Sequence, residues 1–240
     1  MNFNKSKFFL TSDIHFFHNN IIKYCNRPFE MTPEGLSKMN ESICQEFDKL
    51  PDDDETFVLN NGDLCMNSKI HFEDLIPLVN RMKGEHRHLW IILGNHDRDV
   101  FKYIKKESGE KFTNPTDFFV ELGFERVYQF PILIDDMIFS HEPVYLSPGN
   151  NLNNVYGHTH NLLIDKDYFN RDCENWAMME RVKKEGLTKQ TNLDIDTKIK
   201  YNDKTIRTEN YYNICWDNLH RITTLSNVKD FFKRRSNGTL

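Results

Sequence analysis

Side chains that can bind metal ions recur in five short segments of this chain. The segments read SDIH, NGDLC, GNHD, SHEP and GHTH, and the candidates in them are Asp13, His15, Asp63, Asn95, His96, His141, His158 and His160. Carboxylate, amide and imidazole groups in this mixture can hold two divalent metal ions and leave one histidine for acid catalysis. The hypothesis that follows is metal-assisted hydrolysis of a phosphate ester.

The spacing of residues within the motifs predicts the directions in which these side chains point. On a β-strand, residues i and i+2 project to the same side. We therefore expect Asp13 and His15 to face one cavity, and His158 and His160 to do the same. The carboxylate of Asp63 has two oxygens, so it can bridge two cations.

The adjacent pair Asn95 and His96 points in two directions, so one residue can bind metal while the other faces the substrate. A single D-x-H or H-x-H pair is weak evidence, because a buried histidine bonded to the backbone is the usual alternative. The full set of motifs, each after an apolar run, favours a shared metal site. Glycine precedes three motifs, where the backbone must turn or closely approach a ligand.

The elements that must position these motifs are apolar strands separated by helices. Strands are predicted at 7–12, 56–60 and 87–93, and each ends in a motif. A helix is predicted after Thr32 as N-cap and Pro33 in the first turn, and another over 68–82. This alternation predicts an α/β core with the functional residues at the strand ends.

The second half of the chain is richer in predicted strands. They are placed at 126–134, 137–139 and 153–156, with a hairpin at 211–225 around Asp217 and Asn218. The segment from about 165 to 210 is polar and has few large apolar side chains, too few for a core of its own. We therefore predict one domain over 1–240 with an insertion at about 165–210.

Composition narrows the class of protein. A 240-residue chain with 38% hydrophobic and 28% charged residues is typical of a globular domain, and the net charge of −5 does not favour nucleic-acid binding. Five widely spaced cysteines without a CxxC indicate reduced thiols and a cytoplasmic protein. No segment has the length of a membrane span, and the first apolar run is too short for a signal peptide. Oligomeric state stays open.

The order D-x-H, G-D, G-N-H-D, H and G-H-x-H resembles the signature of the calcineurin-like metallophosphoesterases. The resemblance spans residues 7 to about 160. Within that superfamily, SDIHFFHNNIIKYCNRPF is similar to a branch of small bacterial and phage phosphoesterases. The fold that the resemblance implies is a four-layer αββα sandwich, in which helices flank two mixed β-sheets.

The resemblance also implies a role for each matching residue. The first metal would be held by Asp13, His15 and His160, the second by Asn95, His141 and His158, and Asp63 would bridge the two. His96 would be the general acid, and Asp97 would orient its ring. The ligands favour two divalent transition metal ions, with Mn expected and Fe, Zn, Co or Ni as alternatives.

Two further residues near the first motif are candidate contacts for the substrate phosphate. They are His18 and Arg27, with a helix cap and a surface ion pair as the respective structural alternatives. The chain departs from the family pattern at Phe16, where glycine often follows the first motif. The segment at 165–210 is a second departure, because it has no counterpart in compact members of the family.

The implied activity is that of a phosphodiesterase acting on a small nucleotide or cyclic nucleotide. A metal-bridging hydroxide would attack phosphorus, and His96 would protonate the departing oxygen. The alternatives are a nuclease on single-stranded nucleic acid, a phosphomonoesterase, and a non-enzymatic scaffold of the same fold. The acidic net charge counts against the nuclease, and the presence of His96 and Asp63 counts against the scaffold.

Overall fold

The computed structural model describes residues 4–67, 69–107, 112–147, 149–169 and 206–236. The chain divides into one unit at Met1–Val144, Leu152–Leu163 and Glu209–Leu240, and a second at Tyr145–Asn151 and Ile164–Thr208. All strands in the described residues belong to the first unit. The predicted insertion at 165–210 lies mostly outside the described residues, so the single-domain arrangement stays a prediction.

The first sheet gathers the apolar runs that precede the first three motifs. The strands are β1 (Phe8–Thr11), β2 (Phe57–Asn60), β3 (His88–Ile92), β4 (Arg126–Tyr128) and β9 (Thr223–Thr224). Their order in the sheet is β4-β3-β2-β1-β9, and β1 to β4 are parallel while β9 is antiparallel to β1. Parallel strands covered on both faces need near-continuous apolar sequence, which explains runs such as Leu89 to Ile92.

Helices pack on one face of this sheet through a single apolar cluster. They are α1 (Asn19–Tyr24), α2 (Pro33–Asp48), α3 (Phe72–Lys83), α4 (Asn95–Glu107) and α5 (Pro115–Leu122). The predicted N-cap of α2 is confirmed, because Thr32 Oγ1 accepts a hydrogen bond from the Gly35 N–H at 3.1 Å. The buried face of α2 includes Met39, Ile43 and Phe47, which follow the helical repeat.

The second sheet packs against the other face of the first. The strands are β5 (Ile132–Ile134), β6 (Met137–Ser140), β7 (Asn153–Tyr156) and β8 (Tyr211–Asn213). Their order in the sheet is β5-β6-β7-β8, with β5 antiparallel to β6 and the other pairs parallel. Apolar side chains of both sheets form one cluster, among them Leu10, Trp90, Phe139 and Val155. The predicted α/β fold with two mixed sheets and helices is confirmed.

Two details of the predicted strands are wrong. The run at 126–134 is not one strand but β4 and β5, which lie in different sheets on either side of Gln129, Phe130 and Pro131. The predicted hairpin at 211–225 does not form either. Instead β8 joins the second sheet, a short helix α6 (Trp216–Leu219) follows, and β9 joins the first sheet.

The last helix in the described residues is α7 (Leu225–Ser236), which directly follows β9. Leu225, Val228 and Phe232 of α7 are buried in the cluster between the sheets, which fixes the helix there. None of the described helices combines the length and the apolar character needed to cross a lipid bilayer.

Candidate metal centre

All five motifs lie just beyond the carboxyl ends of strands. Asp13 follows β1, Asp63 follows β2, and Asn95 follows β3, so these three reach the same edge of the first sheet. His141 directly follows β6 and His158 follows β7, at the corresponding edge of the second sheet. The predicted ligands are therefore brought together from both sheets.

The i, i+2 strand geometry predicted for two of the motifs is wrong. Strand β1 ends at Thr11 and β7 at Tyr156, so both residues of each pair lie in loops. Five predicted ligands instead have left-handed backbone, with φ between 53° and 67°: Asp13, His15, Asp63, His158 and His160. Such conformations are uncommon for residues with a side chain and persist where the surroundings impose them, often at functional sites.

The first ligand group consists of Asp13, His15 and His160, whose donor atoms lie within 4.8 Å of one another. His15 is fully buried, and neither of its ring nitrogens has a hydrogen-bond partner among the described residues. Burial lowers the pKa of His15 well below its usual value, so its ring is neutral and offers a lone pair. His160 Nδ1 donates to Asp217 Oδ2 at 2.8 Å, which leaves Nε2 free for a metal.

The second group consists of Asp63, His141 and His158, again with donor atoms within 4.8 Å. Asn95 joins it, because its Oδ1 lies 3.0 Å from His141 Nε2 and 3.1 Å from His158 Nδ1. The Asn61 carbonyl accepts a hydrogen bond from His141 Nδ1 at 2.8 Å, which turns Nε2 toward the group.

Asp63 stands between the two groups. Its Oδ2 lies 3.7 Å from His15 Nε2 and 3.4 Å from His141 Nε2. Burial opposes the ionisation of Asp63, but the hydrogen bond and charge of His141 lower its pKa below the usual range. Burial likewise opposes the charge on His141, yet Asp63 raises the pKa of that ring to about 9. The pair thus places negative charge where two cations would meet.

These residues fit two divalent metal ions. His15 carries two buried nitrogens without a hydrogen-bond partner, which is costly unless a ligand satisfies them. His141 Nε2 and His158 Nδ1 face each other at 3.2 Å, and two lone pairs at that distance repel unless a proton or a cation lies between them. Mixed imidazole, carboxylate and amide donors are those that divalent transition metals prefer.

His96 lies beside this centre at the start of α4. Its backbone N–H donates to Asp63 Oδ1 at 2.9 Å, and its ring centroid is 5.3 Å from that of His15. The ring nitrogen Nδ1 is buried and has no hydrogen-bond partner in the described part of the chain. The ring is therefore next to the candidate metal ligands without being part of either group.

Asp97 has different partners from those that the resemblance implied. Its carboxylate accepts hydrogen bonds from the backbone N–H groups of Asp63, Leu64 and Gly94, each at 2.8 Å, whereas His96 Nδ1 has no hydrogen-bond partner among the described residues. Burial, followed by the charge of Asp63, raises the pKa of Asp97 to about 7. Asp97 thus holds together the loops after β2 and β3.

The two candidate substrate contacts, His18 and Arg27, have different surroundings in the structure. The His18 ring lies 5.2 Å from His15 and 6.1 Å from His96, at the edge of the centre. Burial and the nearby His96 lower the pKa of His18 to about 4, so its ring is neutral near pH 7. Arg27 is buried and paired with Asp217, so the alternative of an ion pair on the surface is wrong.

Arg27 instead supports the first motif from behind. It donates to both carboxylate oxygens of Asp217, at 2.6 and 3.0 Å, and to the carbonyls of Asp13 and Ile14. Asp217 in turn binds the His160 ring. One buried ion pair therefore orients ligands from the first and the last motif.

Sequence reasoning missed the residues that support the centre from the C-terminal segment. Cys215 Sγ donates to Asp13 Oδ2 at 3.1 Å, and Asn213 Nδ2 donates to the His160 carbonyl at 2.8 Å. Asp217 was assigned to a hairpin turn. The available signal was its position after the apolar run of 211–216, the same arrangement that marks the other motifs.

The glycines before the motifs permit the close approach that the sequence predicted. A Cβ on Gly94 would lie 2.2 Å from Asp63 Oδ1, and a Cβ on Gly157 would lie 2.1 Å from Ser12 Oγ. Both distances are well inside van der Waals contact, so any side chain at these positions would displace a ligand loop.

Comparison with known proteins gives three findings. The family model for calcineurin-like phosphoesterases matches residues 6–235. An uncharacterized protein of Methanocaldococcus jannaschii is 36% identical over 108 residues, which are 44% of this chain and 56% of that protein, so the match spans about half of the relative. A crystal structure of a protein of unknown function from Aquifex aeolicus aligns over 93% of this chain and 97% of its own, with 18% identity and a TM-score of 0.47.

Proposed function

Because this chain belongs to the calcineurin-like phosphoesterase family, we propose that it is a hydrolase of phosphate esters that depends on two divalent metal ions. Within that activity, we propose a phosphodiesterase whose substrate is a small nucleotide or a cyclic nucleotide. We also propose manganese as the working metal and the cytoplasm as the location, since the described cysteines are free thiols.

The position of Asp63 is the main observation that supports two metal ions. One of its oxygens lies within 4 Å of a histidine nitrogen from each ligand group. A carboxylate placed in this way can serve both ions, whereas two separate mononuclear sites would not need it. Asp13, His15 and His160 would hold one ion, and Asn95, His141 and His158 would hold the other. When bound, such ions polarise a phosphoryl oxygen and lower the pKa of water.

His96 is the proposed acid for the departing oxygen. Its backbone is fixed by Asp63, and its ring lies against His15 and His18 rather than among the ligands of the second ion. A protonated ring there can give its proton to the leaving oxygen, which avoids the release of an alkoxide. His18 is neutral, so it can orient the substrate by hydrogen bonding without adding charge.

The internal role of Arg27 is compatible with a diester substrate. A phosphate monoester carries two negative charges near neutral pH, and a bidentate guanidinium is a common partner for its terminal oxygens. Arg27 is used internally by Asp217 and by two backbone carbonyls, so it cannot serve the substrate. A singly charged diester makes less demand for such a partner.

The proposal is tested with a panel of substrates in the presence of Mn²⁺, Zn²⁺, Ni²⁺ or Mg²⁺. The panel is bis(4-nitrophenyl) phosphate, 4-nitrophenyl phosphate, cyclic nucleotides and a single-stranded oligonucleotide. We expect metal-dependent turnover of the diester and of a cyclic nucleotide above that of the monoester. Faster turnover of the monoester or the oligonucleotide would favour those alternatives, and no metal-dependent activity at all would favour a scaffold.

A further inference from the structure

A cavity of about 300 Å³ opens beside the second ligand group. Asn95 and His141 of that group line it, and Ile92, Leu93, Pro143 and Val144 contribute apolar wall. Pockets for small ligands begin at about this volume and combine apolar walls with a few polar groups. The cavity is therefore large enough for a substituent on a phosphate held at the metal centre.

The rim of the cavity carries an exposed aromatic ring. Phe130 lines it and is 77% exposed. It lies in the connection between β4 of the first sheet and β5 of the second. Its ring makes no contact with another aromatic ring among the described residues. An exposed phenyl face at the mouth of a polar site is suited to stacking against a planar ligand.

Two oppositely charged side chains also line this cavity. Arg98 and Glu142 both line the cavity, and neither forms an ion pair within the described ranges. One guanidinium nitrogen of Arg98 donates to the Gln129 carbonyl at 3.2 Å, so its remaining N–H groups stay available. Arg98 thus offers hydrogen-bond donors, and Glu142 offers an acceptor, to a planar group with heteroatoms on its edge. A nucleobase is such a group.

The cavity lies apart from the proposed acid. His96 is not among its lining residues, and the His96 ring lies against His15 and His18 of the first motif. Hydrolysis of a diester forms one P–O bond from water and breaks the P–O bond to the leaving oxygen, which takes a proton. The other ester bond stays intact. The leaving group must lie near His96, so a group at the cavity is the one that stays on phosphorus.

We propose that this cavity is a subsite for the ester substituent that remains on phosphorus, and that this substituent bears a nucleobase stacked on Phe130. The subsite rests on the proposed diesterase activity and specifies the substrate class of the same centre. The product would then be a nucleoside monophosphate held by both the ligand groups and the cavity.

The kinetic test keeps the leaving group constant. Thymidine 5′-(4-nitrophenyl phosphate) and methyl 4-nitrophenyl phosphate both release nitrophenol, but they retain a nucleoside or a methyl group. Phe130→Ala should lower kcat/KM about tenfold more for the thymidine ester than for the methyl ester. Leu133→Ala, at another exposed apolar residue in the next strand, is the matched control and should change neither. Equal effects of Phe130→Ala on both esters would overturn the subsite.

A binding measurement separates the subsite from the activity. Calorimetry compares adenosine 5′-monophosphate with methyl phosphate on the Mn²⁺-loaded protein. We expect the nucleotide to bind at least about tenfold more tightly, and Phe130→Ala to remove that difference. If the protein binds the nucleotide more tightly but hydrolyses neither ester, the subsite is supported and the proposed function is wrong. Turnover of both esters with equal affinity for the two monophosphates would keep the function and overturn the subsite.

Discussion

At the scale of single residues, His96 and Asp63 are in contact, but alanine substitutions at the two positions should have different effects. His96 contacts Asp63 through its backbone N–H, which an alanine keeps. His96→Ala should therefore retain both metal ions and lose about 10²–10⁴-fold in kcat, the usual contribution of a general acid. Metal content by mass spectrometry and turnover of a nitrophenyl diester check this, and loss of metal along with activity would contradict the assignment.

Asp63→Ala should lose metal and activity together. The variant removes the oxygen that lies near a histidine of each ligand group. Metal stoichiometry by calorimetry should fall below two ions per chain. His96→Ala serves as the control that still binds both. Normal turnover by a metal-loaded Asp63→Ala protein would rule out the bridging role.

At the scale of elements, the Arg27–Asp217 pair joins the loop after α1 to the start of α6. Both side chains are buried, with exposures of 1% and 0%. Removing one partner of such a pair leaves an uncompensated charge, so Arg27→Ala should lower the free energy of unfolding by about 3–5 kcal/mol. Chemical denaturation measures this. The control is Arg81→Ala, because Arg81 pairs with Glu41 and Asp48 on the surface, and its loss should be much smaller.

The same pair predicts a dependence of stability on pH. Burial opposes the ionisation of Asp217, but hydrogen bonds from His160 and Arg27 lower its pKa below the usual value. A lowered folded-state pKa means that the stabilisation is complete above about pH 4 and is lost as the pH falls below it. The stability difference between the wild type and Asp217→Asn should therefore shrink in acid. A difference that grows below pH 4 would contradict this.

The elements also show what the sequence could and could not predict. Strands β1, β2, β3, β6 and β7 were predicted within a residue or two, because apolar runs that end in polar motifs are a local signal. The pairing of strands into sheets, in contrast, is not determined by the local sequence. The run at 126–134 has one continuous strand-like pattern, yet Pro131 cannot donate to a ladder and the chain passes between sheets there. The left-handed loops that carry Asp13 and His158 had no sequence signal either, because an i, i+2 pair looks the same in a strand.

At the scale of the whole molecule, the centre joins the two sheets. The Asn61 side chain donates to the carbonyls of Ser140 and Val155, each at 3.1 Å, and its own carbonyl accepts from the His141 ring. Asn61 directly follows β2, whereas Ser140 and Val155 belong to β6 and β7. Ligands from both sheets would share the metal ions, so metal binding should stabilise the fold as a unit.

Metal removal should consequently lower the melting temperature. A ligand at about 100 times its Kd stabilises the folded state by about 2.7 kcal/mol, which corresponds to roughly 5–10 °C for a chain of this size. Scanning calorimetry with Mn²⁺ and with a chelator measures the shift. His96→Ala should show the full shift and Asp63→Ala little of it. Equal shifts in these two variants would contradict the assigned roles.

The left-handed backbone at five of the ligands has a consequence for mutational tolerance. Asparagine and glycine accept positive φ more readily than other residues, whereas β-branched residues are strongly disfavoured there. In a deep mutational scan, selection for protein abundance should thus tolerate Asn and Gly at Asp13 and Asp63 and deplete Val and Ile. Selection for activity should reject all four. The difference between the abundance profile and the activity profile would distinguish the residues that the backbone conformation allows at each position from those that metal binding requires.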